Sequence, residues 1–263
     1  MRIIKCELNR AICEIKSYYP DYIVSFILDI FILFIVMKNG ENKNISFWAY
    51  VSWTLASRVL TEASLNISTE KQLGTLQNIM IKQYSILEII MSKSIIWFII
   101  DLVKTLMVAL LINFFVFNLN LDIRLIIVLL LEFLGILGLS LIMSSLTLVY
   151  TKVASFETIL SIILLYLSGS IFDVPKGFTY TNPISYGTYL ITEIYSGTAN
   201  ITDFLIALTI SLIWFVIGCF GFKLIFSKSK EFKWNYWLVC CGKPQWAFYI
   251  VLIKFLSYIN YRN

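Results

Sequence analysis

Apolar residues run along this chain in blocks long enough to cross the ~30 Å hydrocarbon core of a bilayer as helices of roughly 20 residues. Six such blocks are read: Tyr22 to Met37, Ile45 to Ile67, Ile95 to Phe117, Leu125 to Tyr150, Thr158 to Phe172 and Phe204 to Phe226. The first and fifth are short for a perpendicular crossing, so flanking residues, local thinning or a half-membrane excursion must supply the rest. Ahead of them, Ile4, Leu8, Ala11, Ile15 and Tyr18 recur at helical spacing, while Arg2, Lys5, Glu7, Arg10, Glu14 and Lys16 occupy other angles. That pattern predicts an amphipathic helix over residues 1–20, lying in the headgroup plane with its cations toward phosphate. Pro20 is expected to stop it, because proline lacks the amide and restricts its predecessor, and the chain then turns into the membrane at Asp21. The expected fold class is an all-α polytopic membrane protein of six transmembrane helices, with the membrane-embedded body over 21–226.

Composition agrees. The 263 residues are 59% hydrophobic and 14% charged, with mean hydropathy +0.82, which is not the make-up of a soluble domain. Histidine is absent, which removes mechanisms built on an imidazole base, a Ser-His or Cys-His nucleophile, or a mixed His/Cys zinc site. No enzyme is expected, and no nucleic-acid binding. With six spans both termini share one side. If that side is the cytoplasm, fourteen lysines and arginines lie inside, against Lys38, Lys43, Arg124 and Lys176 outside, a positive-inside signal that places the chain in the cell membrane with both ends cytoplasmic. The first apolar block follows scattered charges and has no cleavage-site pattern, so no signal peptide is expected. Cys6, Cys13, Cys240 and Cys241 fall in cytoplasmic segments and Cys219 in the last span, so no disulfide is expected, and without CxxC spacing no metal site either.

Three connections carry information. The segment 68–94 contains Thr69 with Gln72, and Ser85 with Glu88, each at capping-box spacing, so two helix starts are expected with Gly74 turning the chain between them. Leu73, Leu76, Ile79 and Met80 give it an apolar face suited to a docked partner, or to the membrane's own surface. The segment 173–203 carries Pro175, Pro183, Gly177, Gly187 and Gly197 among aliphatic and aromatic residues, and reads as broken, re-entrant helices in the outer leaflet. The basic, aromatic tail 227–263 includes an apolar run at 246–258 that is short for a span and is expected to be interfacial, a seventh crossing being the alternative.

Charges within the blocks need partners or water, since each costs roughly 2.5–3.5 kcal/mol at mid-membrane on insertion scales. Arg58 with Glu62, and Asp101 with Lys104, have the spacing of self-neutralised pairs on one helical face, or alternatively line a polar cavity. Asp29 and Glu132 have no local partner and are candidates for inter-helix or pathway roles. Gly135, Gly138, Ser140, Ser144, Ala207, Ser211, Gly218 and Gly221 mark close helix contacts in the fourth and sixth blocks.

In this order, the features resemble the type 2 permeases of ATP-binding-cassette exporters. The likeness rests on the amphipathic helix before six spans; on Glu70-Lys71-Gln72-Leu73-Gly74-Thr75-Leu76-Gln77, similar to the family's E-x-x-x-G-T-L-E; on Gly138-Leu139-Ser140 with Ser144-Ser145; on Leu167-Ser168-Gly169; and on Pro175 and Asn182-Pro183. Gln77 departs from the family's second glutamate, and the tail beyond Lys230 has no counterpart. The resemblance implies that residues 1–20 are an elbow helix, that 68–94 is a coupling helix seated on a separate ATPase through Glu70, Leu73, Gly74, Thr75, Leu76 and Gln77, and that Gly169, Pro175, Asn182 and Pro183 belong to an outer gate. It further implies a second permease subunit, identical or related, and a drug, antimicrobial peptide or other amphipathic compound as exported cargo. The chain has no G-x-x-x-x-G-K-[ST] loop, so ATP and Mg are expected on the partner and no cofactor on this chain. A secondary transporter, or a non-transporting scaffold or immunity protein, is the alternative.

Overall fold

The computed structural model describes residues 2–39, 42–74, 85–115, 122–150, 154–170 and 177–231. Among these there are eight helices and no strand: α1 (Arg2–Ser17), α2 (Tyr19–Asn39), α3 (Lys43–Gln72), α4 (Ile86–Phe115), α5 (Ile123–Val149), α6 (Ala154–Leu167), α7 (Pro183–Ser196) and α8 (Ile201–Glu231). Four of them, α2, α4, α5 and α8, are long and apolar enough to cross a membrane, so the chain has the make-up of a membrane protein. The expected spans on α3 and α6 do not reach that standard. α6 is short, and α3 is long but keeps Ser46, Ser52, Thr54, Ser64 and Glu70 buried along its length. The chain divides into a unit over 1–225, to which the helical bundle belongs, and another over 226–263. The expected tail helix at 246–258 lies outside the described residues.

α3 is the hub, packing on α2, α4, α5, α6 and α7. Its Phe47, Trp48, Val51, Leu55, Val59 and Leu60 meet Leu125, Val128, Leu129 and Ile136 of α5 in one core. Outward faces are apolar instead of polar. Ile23, Ile27 and Phe31 of α2 and Ile213, Ile217 and Phe220 of α8 are exposed, the inverse of a soluble bundle. α5 and α8 approach through the small residues expected to join them. A Cβ at Gly138 would lie 2.8 Å from the Cα of Phe215, and one at Gly218 would lie 2.6 Å from the carbonyl carbon of Gly138.

Two expected boundaries shift. The first helix ends at Ser17 and α2 begins at Tyr19, so Pro20 sits inside the first turn of α2, where a missing amide costs nothing. The helix start expected at Thr69–Gln72 is absent because α3 runs on through it. The Thr69 hydroxyl donates back to the carbonyls of Leu65 and Asn66, both at 3.0 Å, and Gln72 Nε2 donates to Ser68 Oγ. With no glycine or proline to break the helix before it, a capping pattern is simply read as two more helical side chains. The second box is formed. The Glu88 amide donates to Ser85 Oγ at 3.2 Å, and the Ser85 amide donates to Glu88 Oε2 at 3.3 Å, starting α4.

Candidate functional site

The end of the bundle that carries α1 gathers charge. α1 packs on α4 through Ala11 and Ile15, against Ile96 and Trp97, while Ile4 and Leu8 from the expected apolar face stay exposed. That contact sets Arg10 beside the last turn of α3, where its Nη1 donates to Glu70 Oε1 at 2.9 Å. Lys93 of α4 reaches the same oxygen at 3.8 Å and Asn66 Oδ1 at 3.4 Å. One buried carboxylate thus ties three helices. Burial works against the Arg10 guanidinium, but its bond to Glu70 and the Glu70 charge hold its pKa above the ordinary value.

Lys71 is 5% exposed, and its Nζ donates to the carbonyls of Leu148 at 2.8 Å and Thr147 at 3.3 Å. These belong to the last turn of α5, where carbonyls lack intrahelical partners and the helix dipole is negative, so the ammonium caps that helix. Burial pulls the pKa of Lys71 down to about 8, which leaves it mostly charged at neutral pH. Lys71→Met is expected to cost about 1–3 kcal/mol, since buried carbonyls lose their donor. A thermal melt of the purified protein checks this, and an unchanged midpoint would remove the capping role.

Beyond these residues, Leu73 is 74% exposed and Gly74 turns the chain at φ 70°. Thr75, Leu76 and Gln77, and the expected Leu76–Met80 face, lie outside the described residues.

Within the helices, the charges do not pair along one face as expected. Arg58 Nη2 donates to Asp29 Oδ1 at 3.1 Å, and Lys104 Nζ approaches Asp29 Oδ2 at 2.6 Å. Ser25 Oγ accepts from both, at 2.6 and 2.9 Å. Asp29, which had no partner in the sequence, is therefore the centre of a relay across α2, α3 and α4. Glu62 and Asp101 have no ion-pair partner among the described residues.

Glu132 of α5 is 2% exposed, and neither carboxyl oxygen has a hydrogen-bond partner. The Ser52 hydroxyl comes near it outside hydrogen-bond geometry. α7 closes over it at Gly187, where a Cβ would come within 2.7 Å of Glu132 Cγ, so the missing side chain of Gly187 makes the room. Among the described residues, the segment expected to hold broken helices provides α7 and the first residues of α8, and α7 packs Ile184, Tyr186, Leu190 and Ile191 into the core. Asn182 caps it, its side chain accepting from the Ile184 amide at 3.2 Å, with Pro183 in the first turn; Gly197 ends it at φ 77°. Ser185 Oγ donates to the Leu167 carbonyl at 2.8 Å, tying α7 to the end of α6 near Gly169. Pro175 lies outside the described residues.

Sequence reasoning missed the Arg10–Glu70–Lys93 junction and the Lys71 cap. Only the acid–base make-up of 1–20 and 68–94 hinted at the first. Comparison with protein-family models, curated proteins and solved structures gives no match.

Proposed function

We propose that this chain is the membrane-spanning subunit of an ATP-driven exporter, with six crossings, both termini in the cytoplasm of a cell whose plasma membrane it occupies, and a second permease subunit beside it. In this reading α3 and α6 cross the membrane with the four long apolar helices. Ser46, Ser52, Thr54 and Ser64 of α3 are buried among neighbouring helices, as the membrane interior requires. ATP and Mg act on a separate ATPase, which grips the segment between α3 and α4.

The observation that carries the reading is the Arg10–Glu70–Lys93 junction. Both roots of the 68–94 segment, the last turn of α3 and the first turns of α4, are clamped to α1 at one buried carboxylate. Lys71 fastens the same turn of α3 to the end of α5. A load applied at the exposed Leu73 and Gly74 passes into four helices together. ATPase closure then moves the inner ends of these helices, and an amphipathic drug, peptide or related compound leaves on the far side.

Co-purification tests the reading. A tagged chain expressed with its native neighbours should bring down an ATPase subunit, and Gly74→Glu or Leu73→Asp should lose most of it while the chain stays folded by size exclusion. Equal recovery from wild type and both variants would refute docking at this tip.

A further inference from the structure

Glu132 of α5 sits where three helices meet, and nothing there balances its charge. It is 2% exposed with both carboxyl oxygens lacking a hydrogen-bond partner, and the fully buried Ser52 hydroxyl of α3 beside it lacks one too. Three of the five unpartnered buried side-chain polar atoms among the described residues therefore gather at one place. α7 lies directly on them. A Cβ at Gly187 would come within 2.7 Å of Glu132 Cγ, so the backbone of α7 rests against the side chain that bears the carboxyl.

The charges of the surrounding helices do not reach this spot. Arg58 and Glu62 on α3, Asp101 and Lys104 on α4, Tyr186 and Glu193 on α7, and Asp203 on α8 exert no electrostatic effect on Glu132; among the described residues Ser52 is the one polar group that comes near. α7 itself is held by neutral contacts. Ile184, Leu190 and Ile191 fill the core, Ser185 Oγ donates to the Leu167 carbonyl at 2.8 Å, and Trp48 Nε1 donates to the Tyr195 hydroxyl at 3.0 Å. No ion pair joins α7 to another helix among the described residues.

An ionised carboxylate with no donor, no cation and no water is too costly to remain in such a place. A neutral acid is not, because its O–H can turn toward Ser52. The two forms therefore call for different positions of α7. With the proton bound, α7 seats on α3 and α5; with the proton gone, the carboxylate needs water, and a lift of α7 at Gly187 is the movement that admits it.

We propose that Glu132 is a proton-binding site that latches α7: uptake of one proton by its carboxyl closes α7 onto α3 and α5, and opening releases that proton to water. Taking α7 for an outer gate rests on the exporter reading, but its proton-dependent seating does not.

Hydrogen–deuterium exchange across residues 183–196, in the full chain in zwitterionic nanodiscs with no ATPase present, tests the latch. At each pH the wild-type exchange rate is divided by that of Glu132→Gln, which cancels the intrinsic pH dependence of amide exchange. The closed form holds one proton more than the open form, so the ratio should be lowest at acid pH and climb with rising pH, by up to about tenfold per pH unit. Across residues 2–17 of α1 the same ratio should stay flat. A merely structural role for Glu132 would shift the ratio by one factor at every pH. Glu132→Met serves if Glu132→Gln fails to fold by size exclusion; if neither folds, wild-type exchange corrected for intrinsic rates decides, and must rise with pH across 183–196. A ratio independent of pH, a ratio that falls as pH rises, or corrected wild-type exchange that does not rise would each overturn the latch. None of these outcomes bears on ATPase docking, which the co-purification reads separately.

Discussion

Asp29→Asn is expected to destabilise the protein by about 3–5 kcal/mol, the range for removing one partner from a buried ion pair. The size comes from what remains. Asp29 is approached by Lys104 at 2.6 Å and Arg58 at 3.1 Å from two different helices. Neutralising it leaves two cations with a neutral amide and, among the described residues, Ser25 Oγ as their remaining acceptors. Arg58 is partly exposed and can turn its guanidinium toward a headgroup, and the unpaired Asp101 lies within electrostatic reach of both cations, which argues for the lower part of the range. The compensated variant Asp29→Asn/Lys104→Gln should recover much of the loss, since only one cation is then left with a neutral acceptor. A tryptophan-fluorescence melt in detergent reads both. An Asp29→Asn midpoint equal to wild type, or a double variant no better than the single one, would show that the relay does not hold α2 against α3 and α4.

Gly138→Ala should have an effect of similar size through a different mechanism. Its new Cβ would meet the carbonyl carbon of Trp214 at 2.6 Å and the Cα of Phe215 at 2.8 Å, which are backbone atoms with no rotamer to change. Overpacking of this kind costs roughly 1–3 kcal/mol, occasionally more, and here relief requires α5 and α8 to separate along their seam. Gly218→Ala should behave alike, because it faces Gly138 itself. Gly221→Ala is the internal control. Its Cβ would meet only the side chain of Ile142 at 3.7 Å, an ordinary contact, so near-wild-type stability is expected. Equal tolerance of alanine at 138 and 221 in a thermal-shift series would mean that α5 and α8 can part along this seam at little cost.

The contrast between these two regions shows how much was legible in advance. The glycine seam could be read from the chain because close helix approach demands small side chains, whatever the partner helix happens to be. The relay could not. Arg58 with Glu62 and Asp101 with Lys104 satisfy the helical spacing rule, yet α2 brings Asp29 between α3 and α4 and captures both cations. Local spacing states which pairs are possible on one helix, while the choice among acceptors is made by the neighbouring helix. The two capping boxes make the same point. Ser85 and Glu88 start a helix, whereas Thr69 and Gln72, in an equally good pattern, are absorbed into α3.

What the sequence determined by itself is the helical, membrane-suited character of the protein and the placement of most helices, because apolar block length and the period of polar residues are local quantities set by the hydrocarbon's refusal to solvate backbone and charge. What only the tertiary structure decided is which charges meet, that Glu70 joins α1, α3 and α4, that Lys71 caps α5, and that Glu132 is sealed beneath Gly187. Those contacts link residues up to 77 positions apart, and their partners are selected by which helices pack together in three dimensions, which spacing along one helix does not encode.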